Sequence, residues 1–256
     1  MNTKFTLLGV NIDILSKTEV DDRLRSFILS SSSHHIVTLN PEIVMWAQKD
    51  EEYKSILHNA SLTTADGIGI VVAGKLKGHT ISRFTGYDLT MNILHIAEEE
   101  HASVFLLGDD SHVAHFAGHK IKKQFPLLKI VGAEAGPRIK LRNKKMFVDL
   151  EEREYLIEHI NMLKPDILLV AFGHPKQEKW IADVLSELHS VRIAVGIGGV
   201  LDYLSGKIQR APRIFRAIGL EWLFRLFRQP WRFPRIVTAT VRFMIALIKE
   251  PKIDKS

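Results

Sequence analysis

One carboxylate, that of Asp66, lies in a turn at the carboxyl end of a predicted strand, where open α/β sheets bind their ligands. The turn is Thr63-Thr64-Ala65-Asp66-Gly67-Ile68-Gly69, between a short apolar run and a helical run over 68–76. Ligands of open α/β sheets bind outside the carboxyl ends of the strands, and glycine lets a substrate approach the backbone closely. Asp66 is therefore a candidate site residue, although an isolated Asp-Gly turn is more often a helix cap.

Hydroxyl, amide and carboxylate side chains follow three other predicted strands. Because the carboxyl ends of parallel strands share one edge of the sheet, these groups and Asp66 could line one cleft. Together they suit a sugar or a nucleotide, whereas each one alone would be explained as a helix cap or a solvated first turn. They are Thr38 and Asn40, the stretch 173–178 with Gln177 and Glu178, and the stretch 196–202 with Asp202.

Several kinds of chemistry have no support in the sequence. The chain has no cysteine, which excludes disulfides, thiolate metal sites and a cysteine nucleophile, and fits a reducing compartment. Gly196-Ile197-Gly198-Gly199 matches neither nucleotide-binding glycine motif, and no Asp-x-Asp pair is present to hold a metal on a diphosphate. His112, His115 and His119 could share a helix face, but without a further ligand we expect a solvated face. The sequence therefore predicts no metal and no cofactor.

The positive charge lies in the C-terminal part of the chain. The formal net charge is +6, of which residues 206–250 carry +8 and the remainder −2. Such asymmetry indicates a polyanionic partner, either nucleic acid, a phosphorylated ligand or an anionic membrane surface. Guanidinium groups of Arg225, Arg232 and Arg235, if folded over the cleft, could meet the charge of a leaving diphosphate, and Arg83 could do so from the body.

The same part of the chain has amphipathic helical spacing. Apolar residues at 220, 223, 224 and 227 alternate with arginines, and a second apolar stripe follows Pro230 and Pro234. The second stripe is too short to cross a bilayer and contains Arg242. With Trp222 and Trp231 beside arginines, the pattern fits a helix in a membrane interface as well as a core-packed helix with a basic outer face.

Strands and helices alternate over most of the chain, which predicts an α/β fold with a parallel sheet covered on both faces. Thr18 is the expected N-cap of the first helix, and residues 43–57 and 175–188 each read as one helix. A strand pair is expected within residues 5–15, and a polar segment at 136–145.

Several motifs in a consistent order resemble the WecG/TagA/CpsF glycosyltransferase family, glycosyltransferase family 26. The resemblance extends from about Phe5 to about Arg242, and no single motif would carry it. The motifs are Thr38-Leu39-Asn40-Pro41-Glu42, Ala65-Asp66-Gly67-Ile68-Gly69, Arg83-Phe84-Thr85-Gly86-Tyr87-Asp88-Leu89, Phe172-Gly173-His174-Pro175-Lys176-Gln177-Glu178, Gly196-Ile197-Gly198-Gly199-Val200-Leu201-Asp202, Arg210-Ala211-Pro212 and Gly219-Leu220-Glu221-Trp222-Leu223-Phe224-Arg225-Leu226.

The resemblance implies a metal-independent, inverting transferase. Its donor would be a UDP-sugar, UDP-N-acetylmannosamine, and its acceptor undecaprenyl-diphosphate-linked N-acetylglucosamine (GlcNAc), in teichoic acid or related surface-polymer synthesis. The implied fold is a Rossmann-like, mostly parallel α/β body at 1–205 with helices on both faces, and a C-terminal amphipathic helical appendage at 206–256. The appendage would complete the site and dock on the anionic cytoplasmic face of the plasma membrane, as a peripheral protein.

The resemblance also assigns roles by matching position. Asp66 would be the general base, Thr38, Asn40 and Gln177 would line the sugar-binding cleft, and Arg83 would lie beside it. Asp202 would lie near the nucleoside, and Arg225, Arg232 and Arg235 would stabilise the diphosphate. The chain has Gly136-Pro137-Arg138 where many relatives have Gly-Tyr-Phe, which puts an aromatic contact to the nucleoside in doubt.

Two alternatives stay open. The same mechanism could use UDP-N-acetylmannosaminuronic acid or UDP-glucose, although the Asn-Pro-Glu motif resembles the teichoic-acid branch more closely. A nucleic-acid-binding protein would use the basic tail and bind with steep salt dependence. We expect no nucleic-acid partner, because the tail aromatics follow a helical stripe and the body is slightly acidic. A homo-oligomer is possible through the apolar tail helices.

Overall fold

The computed structural model describes residues 4–217 and 219–250, and its centre is a parallel sheet. Its strands are β1 (Lys4–Leu7), β2 (Val10–Asp13), β3 (His34–Leu39), β4 (Leu62–Ala65), β5 (Ser103–Gly108), β6 (Lys129–Ala135), β7 (Lys140–Arg142), β8 (Lys145–Phe147), β9 (Ile167–Ala171) and β10 (Ile193–Gly196). Six of them pair in the order β4-β3-β10-β9-β5-β6, with every pair parallel.

Helices cover both faces of this sheet. They are α1 (Lys17–Ile28), α2 (Pro41–Ala47), α3 (Glu51–His58), α4 (Ile68–Leu76), α5 (Gly86–Glu99), α6 (Ser111–Gln124), α7 (Leu150–Leu163), α8 (Lys176–Val184), α9 (Val200–Ser205), α10 (Arg213–Ala217), α11 (Glu221–Arg228), α12 (Phe233–Val237) and α13 (Phe243–Lys249).

Alternation along the strands shows how the two faces are filled. On β5, Val104 and Leu106 enter the apolar cluster formed with α1, α5, α6 and α9. Their neighbours Phe105 and Leu107 enter the cluster under α7 and α8. Successive side chains of a strand point to opposite faces, so a strand buried on both sides is apolar throughout. The predicted α/β, Rossmann-like sheet with helices on both faces is confirmed.

Several local predictions need correction. Ser16, not Thr18, caps α1, because its side chain accepts the Glu19 amide and the Glu19 carboxylate accepts the Ser16 amide. The helix expected at 43–57 is divided into α2 and α3, since Asp50 accepts the Tyr53 amide at 3.1 Å and starts a new helix. The helix expected at 175–188 ends as α8 at Val184 and continues as a short 3₁₀ turn.

The small strands outside the central sheet were predicted in part. β1 and β2 form the expected antiparallel pair. The polar segment at 136–145, where the sequence identifies no strand, contributes to a second antiparallel pair, β7 with β8. Each of these two strands has three residues, which is too short for apolar alternation to be recognised.

The C-terminal segment is helical and returns to the body. A 3₁₀ turn at Pro230–Arg232 precedes α12, and a π-helical turn at Thr238–Arg242 joins α12 to α13. Phe243 is 1% exposed and packs in the same cluster as Ile43 and Val44 of α2. Within residues 4–217 and 219–250, none of the helices combines the length and apolar character needed to cross a bilayer.

Candidate active site

A cleft of about 330 Å³ opens at the carboxyl edge of the sheet, between the body and the C-terminal helices. It brings together loops that follow β3, β4, β9 and β10, which are far apart in sequence. Eight of the nine residues proposed from the sequence line it: Thr38, Asn40, Asp66, Arg83, Gln177, Arg225, Arg232 and Arg235.

Asp66 is held by backbone hydrogen bonds on both sides. Its amide donates to the Leu39 carbonyl at 2.7 Å, and the preceding Ala65 carbonyl accepts the Phe84 amide at 2.9 Å. The N-cap of α4 is Gly67, which has a φ of +87° and no side-chain capping bond. The alternative that Asp66 is a helix cap is therefore wrong, and its carboxylate faces the cleft.

The surroundings of Asp66 adjust its protonation. Burial raises the pKa of Asp66 to about 7, against a hydrogen bond from the Gly86 backbone amide that lowers it. Glu221 raises this pKa further and Arg83 lowers it, both through charge. A carboxylate with a pKa near the working pH is well suited to take a proton from a hydroxyl and hold it.

Gly86 lies next to both Asp66 and Thr38. A Cβ at this position would lie 3.8 Å from both Asp66 Oδ2 and Thr38 Oγ1. Thr38 donates from Oγ1 to the Gly196 carbonyl at 3.4 Å. The first amide of α5 therefore lies against the carboxylate, where the positive end of a helix dipole favours negative charge.

The side-chain oxygens of Asn40 and Gln177 accept hydrogen bonds from backbone amides of the protein itself. Asn40 caps α2 by accepting the Ile43 amide at 3.0 Å. Gln177 is 3% exposed, and its Oε1 accepts the amides of Gly173 and Gly198 at 3.0 and 2.9 Å. The alternative of a solvated first turn at Gln177 and Glu178 is wrong, because Glu178 is also buried.

The opposite wall of the cleft carries guanidinium groups. Arg225 lies over the Tyr203 ring at 5.2 Å. Burial, together with the charges of Arg225 and Arg235, lowers the pKa of Arg232 to about 10. The Nε atoms of Arg225 and Arg232 are buried without a hydrogen-bond partner among the described residues. A cluster of cations with unused donors is a site for an anion with several oxygens.

Hydrogen bonds of Arg235 and Arg83 help to join this wall to the body. Arg235 forms a bidentate ion pair with Glu42, with Nε to Oε1 at 2.7 Å and Nη2 to Oε2 at 3.1 Å. Arg83 donates from Nη2 to the Arg216 carbonyl at 2.8 Å, so it fixes the start of the C-terminal segment beside Asp66.

Asp202 is the proposed site residue that lies outside the cleft lining. Its carboxylate is 3.7 Å from Lys207 Nζ, and a Cβ at Gly199 would lie 3.5 Å from Asp202 Oδ2 and 3.1 Å from Arg225 Nη2. Burial raises the pKa of the neighbouring Asp109, and the charge of Asp202 raises it further. Asp109 and Asp202 follow β5 and β10, so they form a second polar corner at the same edge of the sheet as the cleft.

Sequence reasoning missed four groups that shape the cleft. From the sequence Glu42 has no assigned role, and the Gly86 amide has no side chain that would attract attention. Glu221 and Tyr203 also line the cleft. Glu42, Gly86 and Glu221 all lie within motifs of the family resemblance, which is the available indication, whereas Tyr203 has none because α9 reads as an ordinary apolar turn.

No three His, Cys, Asp or Glu side chains in the described ranges lie close enough together to hold a metal ion. His112, His115 and His119 lie on α6, and all three are exposed.

The chain is similar in sequence to known proteins of one family. The model of the family described as "Glycosyl transferase WecG/TagA/CpsF family" matches residues 5–256. N-acetylglucosaminyldiphosphoundecaprenol N-acetyl-beta-D-mannosaminyltransferases of Staphylococcus aureus strains MRSA252, MW2 and NCTC 8325 are each 32% identical to the chain over 257 aligned residues. Each alignment covers 99% of this chain and 96% of the relative.

Proposed function

The chain belongs to the WecG/TagA/CpsF glycosyltransferase family, and from this premise we propose that it transfers N-acetylmannosamine from UDP-N-acetylmannosamine to undecaprenyl-diphosphate-linked GlcNAc. The acceptor and the transferred sugar are those in the names of the S. aureus relatives. The product would be an intermediate of wall teichoic acid or a related surface polymer.

The observation that carries the proposal is Asp66 facing a cluster of arginines across one cleft. In the proposed step the acceptor hydroxyl gives its proton to the Asp66 carboxylate while its oxygen bonds to the anomeric carbon. The bond from that carbon to the UDP oxygen breaks on the opposite face, which inverts the configuration. The pKa of Asp66, raised to about 7, suits this transfer near neutral pH.

The leaving group is UDP, and its developing charge needs stabilisation. Arg225, Arg232 and Arg235 would supply it through donors already fixed in the cleft, which is effective because little reorganisation is needed. This arrangement supports a metal-independent reaction with no cofactor. Thr38, Asn40 and Gln177 would border the sugar, Arg83 would hold the tail beside it, and Asp202 would border the nucleoside end of the donor.

The tail also supports a peripheral position on the inner face of the plasma membrane. Phe227, Trp231 and Phe233 are 76%, 71% and 60% exposed beside arginines of the same segment. Large aromatic groups next to basic side chains favour the interface of an anionic bilayer. A lipid-linked acceptor would be met there.

The test is an assay of the purified protein with a panel of UDP-sugars and a lipid-diphosphate GlcNAc acceptor, with a chelator present. We expect transfer from UDP-N-acetylmannosamine and no loss of rate with the chelator. Preference for UDP-N-acetylmannosaminuronic acid or UDP-glucose would replace the donor and keep the mechanism. No transfer from any UDP-sugar would overturn the proposal, and loss of rate with the chelator would overturn metal independence.

A further inference from the structure

We propose that helix α4 of the body and helix α13 of the tail together form a bilayer-binding face, which turns the cleft toward the membrane. This inference rests on the proposed function for the identity of the partner, since a lipid-linked acceptor brings the protein to a bilayer. It goes further by assigning half of the contact to the catalytic body itself, in the helix that directly follows Asp66.

The two helices lie side by side and run in the same direction. Near their starts, a Cβ at Gly69 would lie 3.8 Å from the Phe243 ring. At their ends, Lys77 and Glu250 form an ion pair at 2.8 Å. Their inner residues, Ile70 on α4 and Phe243 on α13, are buried in one apolar cluster. The outer sides of both helices therefore belong to one surface.

That surface is apolar where a surface helix is normally polar. The stripe on α4 repeats every four residues, and the stripe on α13 has the i, i+4, i+7 spacing of one helix face. Their exposed fractions run from 38% to 80%. The members are Ile68, Val72 and Leu76 on α4, and Val241, Met244, Ile245 and Ile248 on and just before α13.

Charge at the margins of this face identifies the partner. Lys75 on α4, Lys249 on α13 and Arg242 directly before α13 are all exposed. Apolar residues bordered by cations fit an anionic lipid interface, in which the apolar groups enter the acyl boundary and the cations meet headgroups. α4 has nine residues, about 13 Å at the rise of an α-helix, which is enough to lie in the interface but not to span it.

The consequence concerns the orientation of the reaction. Because α4 begins at Ile68, two residues after Asp66, a bilayer on this face would place the base next to the lipid surface. A diphosphate at the headgroup level could then reach the cleft without leaving the membrane. In this arrangement α13 of the tail docks together with α4 of the body, rather than as a separate anchor.

The experiment compares Val72→Glu/Leu76→Glu with wild type in flotation on vesicles of equal parts phosphatidylglycerol and phosphatidylcholine, without substrate. We expect the vesicle partition coefficient to fall roughly tenfold or more, because charges replace two apolar contacts. Leu29→Glu/Leu127→Glu is the matched control: these side chains are 75% and 74% exposed beside the cluster on the opposite sheet face. The control should float like wild type.

Sugar transfer to a water-soluble, short-chain acceptor is the second measurement. Val72 and Leu76 do not line the cleft, so this rate should stay within about twofold of wild type. A rate in that range would show that the variant is folded. Unchanged flotation of the α4 variant would overturn the inference. If the same variant also changed its oligomeric state in solution, the face would be assigned to contact with a second copy. Since flotation needs no turnover, a failed donor assay leaves this outcome interpretable.

A separate observation concerns the buried partners of Gln177. Its Nε2 donates to Glu178 Oε1 at 2.7 Å, and Glu178 Oε2 accepts the Tyr53 hydroxyl at 3.0 Å. Tyr53 and Glu178 are 0% and 1% exposed, so the chain Tyr53–Glu178–Gln177 lies in the interior. We infer that Tyr53 and Glu178 are positioning residues for the cleft and act through Gln177.

The reason is the orientation of one amide. Gln177 Oε1 joins the Gly173 and Gly198 amides, which belong to the loops after β9 and β10. A flipped side chain would point its NH₂ group at two backbone donors, and Glu178 prevents this by accepting from Nε2. A Cβ at Gly196 would lie 2.4 Å from Gln177 Nε2, so the backbone leaves room for this orientation. The spacing of two cleft loops thus depends on a carboxylate outside the cleft.

The test is steady-state kinetics of Glu178→Leu, which removes the acceptor, and Glu178→Gln, which keeps an oxygen in place. We expect the donor KM of Glu178→Leu to rise roughly tenfold with a smaller change in kcat, since loops that bind donor and transition state alike are loosened. Tyr53→Phe should raise KM by about threefold, and Glu178→Gln should stay near wild type.

Thr63→Val is the control for a purely structural loss. Thr63 is 1% exposed and donates from Oγ1 to the Asn11 carbonyl at 3.0 Å, so the variant also loses a buried hydrogen bond. It should lower the Tm without changing the donor KM. If Glu178→Leu likewise lowered the Tm and left KM unchanged, or if Glu178→Gln failed to restore KM, the positioning role would be excluded.

Discussion

The two walls of the cleft are built on opposite principles. On the body wall, polar groups are held by the backbone and by one another, as Gln177 is by Gly173 and Gly198. On the tail wall, Arg225 and Arg232 have buried Nε atoms without a hydrogen-bond partner among the described residues. The polar groups of the body wall thus have hydrogen-bond partners within the protein, whereas the tail wall has donor groups that a bound anion would use.

This difference separates two tasks of the proposed reaction. A base must have a fixed environment, because its pKa is set by burial and by few neighbours. A cluster of cations is held together at an electrostatic cost, which an anionic ligand relieves. In the proposed reaction the base lies on the body wall, with a pKa raised mainly by burial, and the arginines that would meet the diphosphate lie on the wall formed by the C-terminal helices.

The largest effect is expected from Asp66→Asn on the body wall. Asparagine keeps the size and the hydrogen bonding but cannot accept the proton, so turnover should fall by roughly a hundredfold or more while donor binding persists. Single-turnover rates with a lipid-linked acceptor and donor titration would measure both quantities. Near-normal turnover would show that the base is elsewhere.

The same variant should be more stable than wild type at high pH. Burial raises the pKa of Asp66 from 3.8 to about 7, so the folded state binds the proton more tightly than the unfolded chain. That contribution is fully present below about pH 4 and is lost as the pH rises through about 7. The Tm advantage of the asparagine variant should therefore grow from pH 4 to pH 7 and then level off.

On the tail wall we expect a smaller loss for Arg232→Gln. Removing one preorganised donor from a site of developing charge costs about 10²–10³ in rate, and three arginines share the charge here, so about 10- to 100-fold is expected. Arg228→Gln is the control, because Arg228 is exposed and lies outside the cleft lining. Equal losses in the two variants would mean that tail charge acts on the membrane and not on UDP.

The pH dependence of kcat/KM tests the body wall without a substitution. With the pKa of Asp66 near 7, the rate should fall about tenfold per pH unit well below 7 and level off above it. Burial also holds the pKa of Arg232 near 10, so the tail wall stays charged through this range. A profile flat from pH 5 to pH 8 would contradict the assignment of Asp66.

The sequence predicted the sheet and most of the cleft, and its failures have a common cause. Apolar strands such as β9 and the loops that follow them are local patterns, so the meeting of Asp66 with Gln177 at one edge could be inferred from parallel pairing. The internal use of Gln177, the pairing of Glu42 with Arg235 and the buried position of Glu178 depend on partners far away in sequence. No local pattern contains such contacts.

The smallest effect, and the finest test of the difference between the walls, is expected from Glu42→Gln. Glu42 is the body residue that neutralises part of the tail wall, through the bidentate pair with Arg235, whose side chain is 46% exposed. An ion pair this exposed contributes about 1 kcal/mol or less to stability, so the Tm should change little. Its charge also opposes an incoming diphosphate, so we expect the donor KM to fall about twofold, less so at high salt, with kcat nearly constant. A loss of more than about tenfold in kcat would show instead that Glu42 orients Arg235 for the reaction, and the body would then set the geometry of both walls.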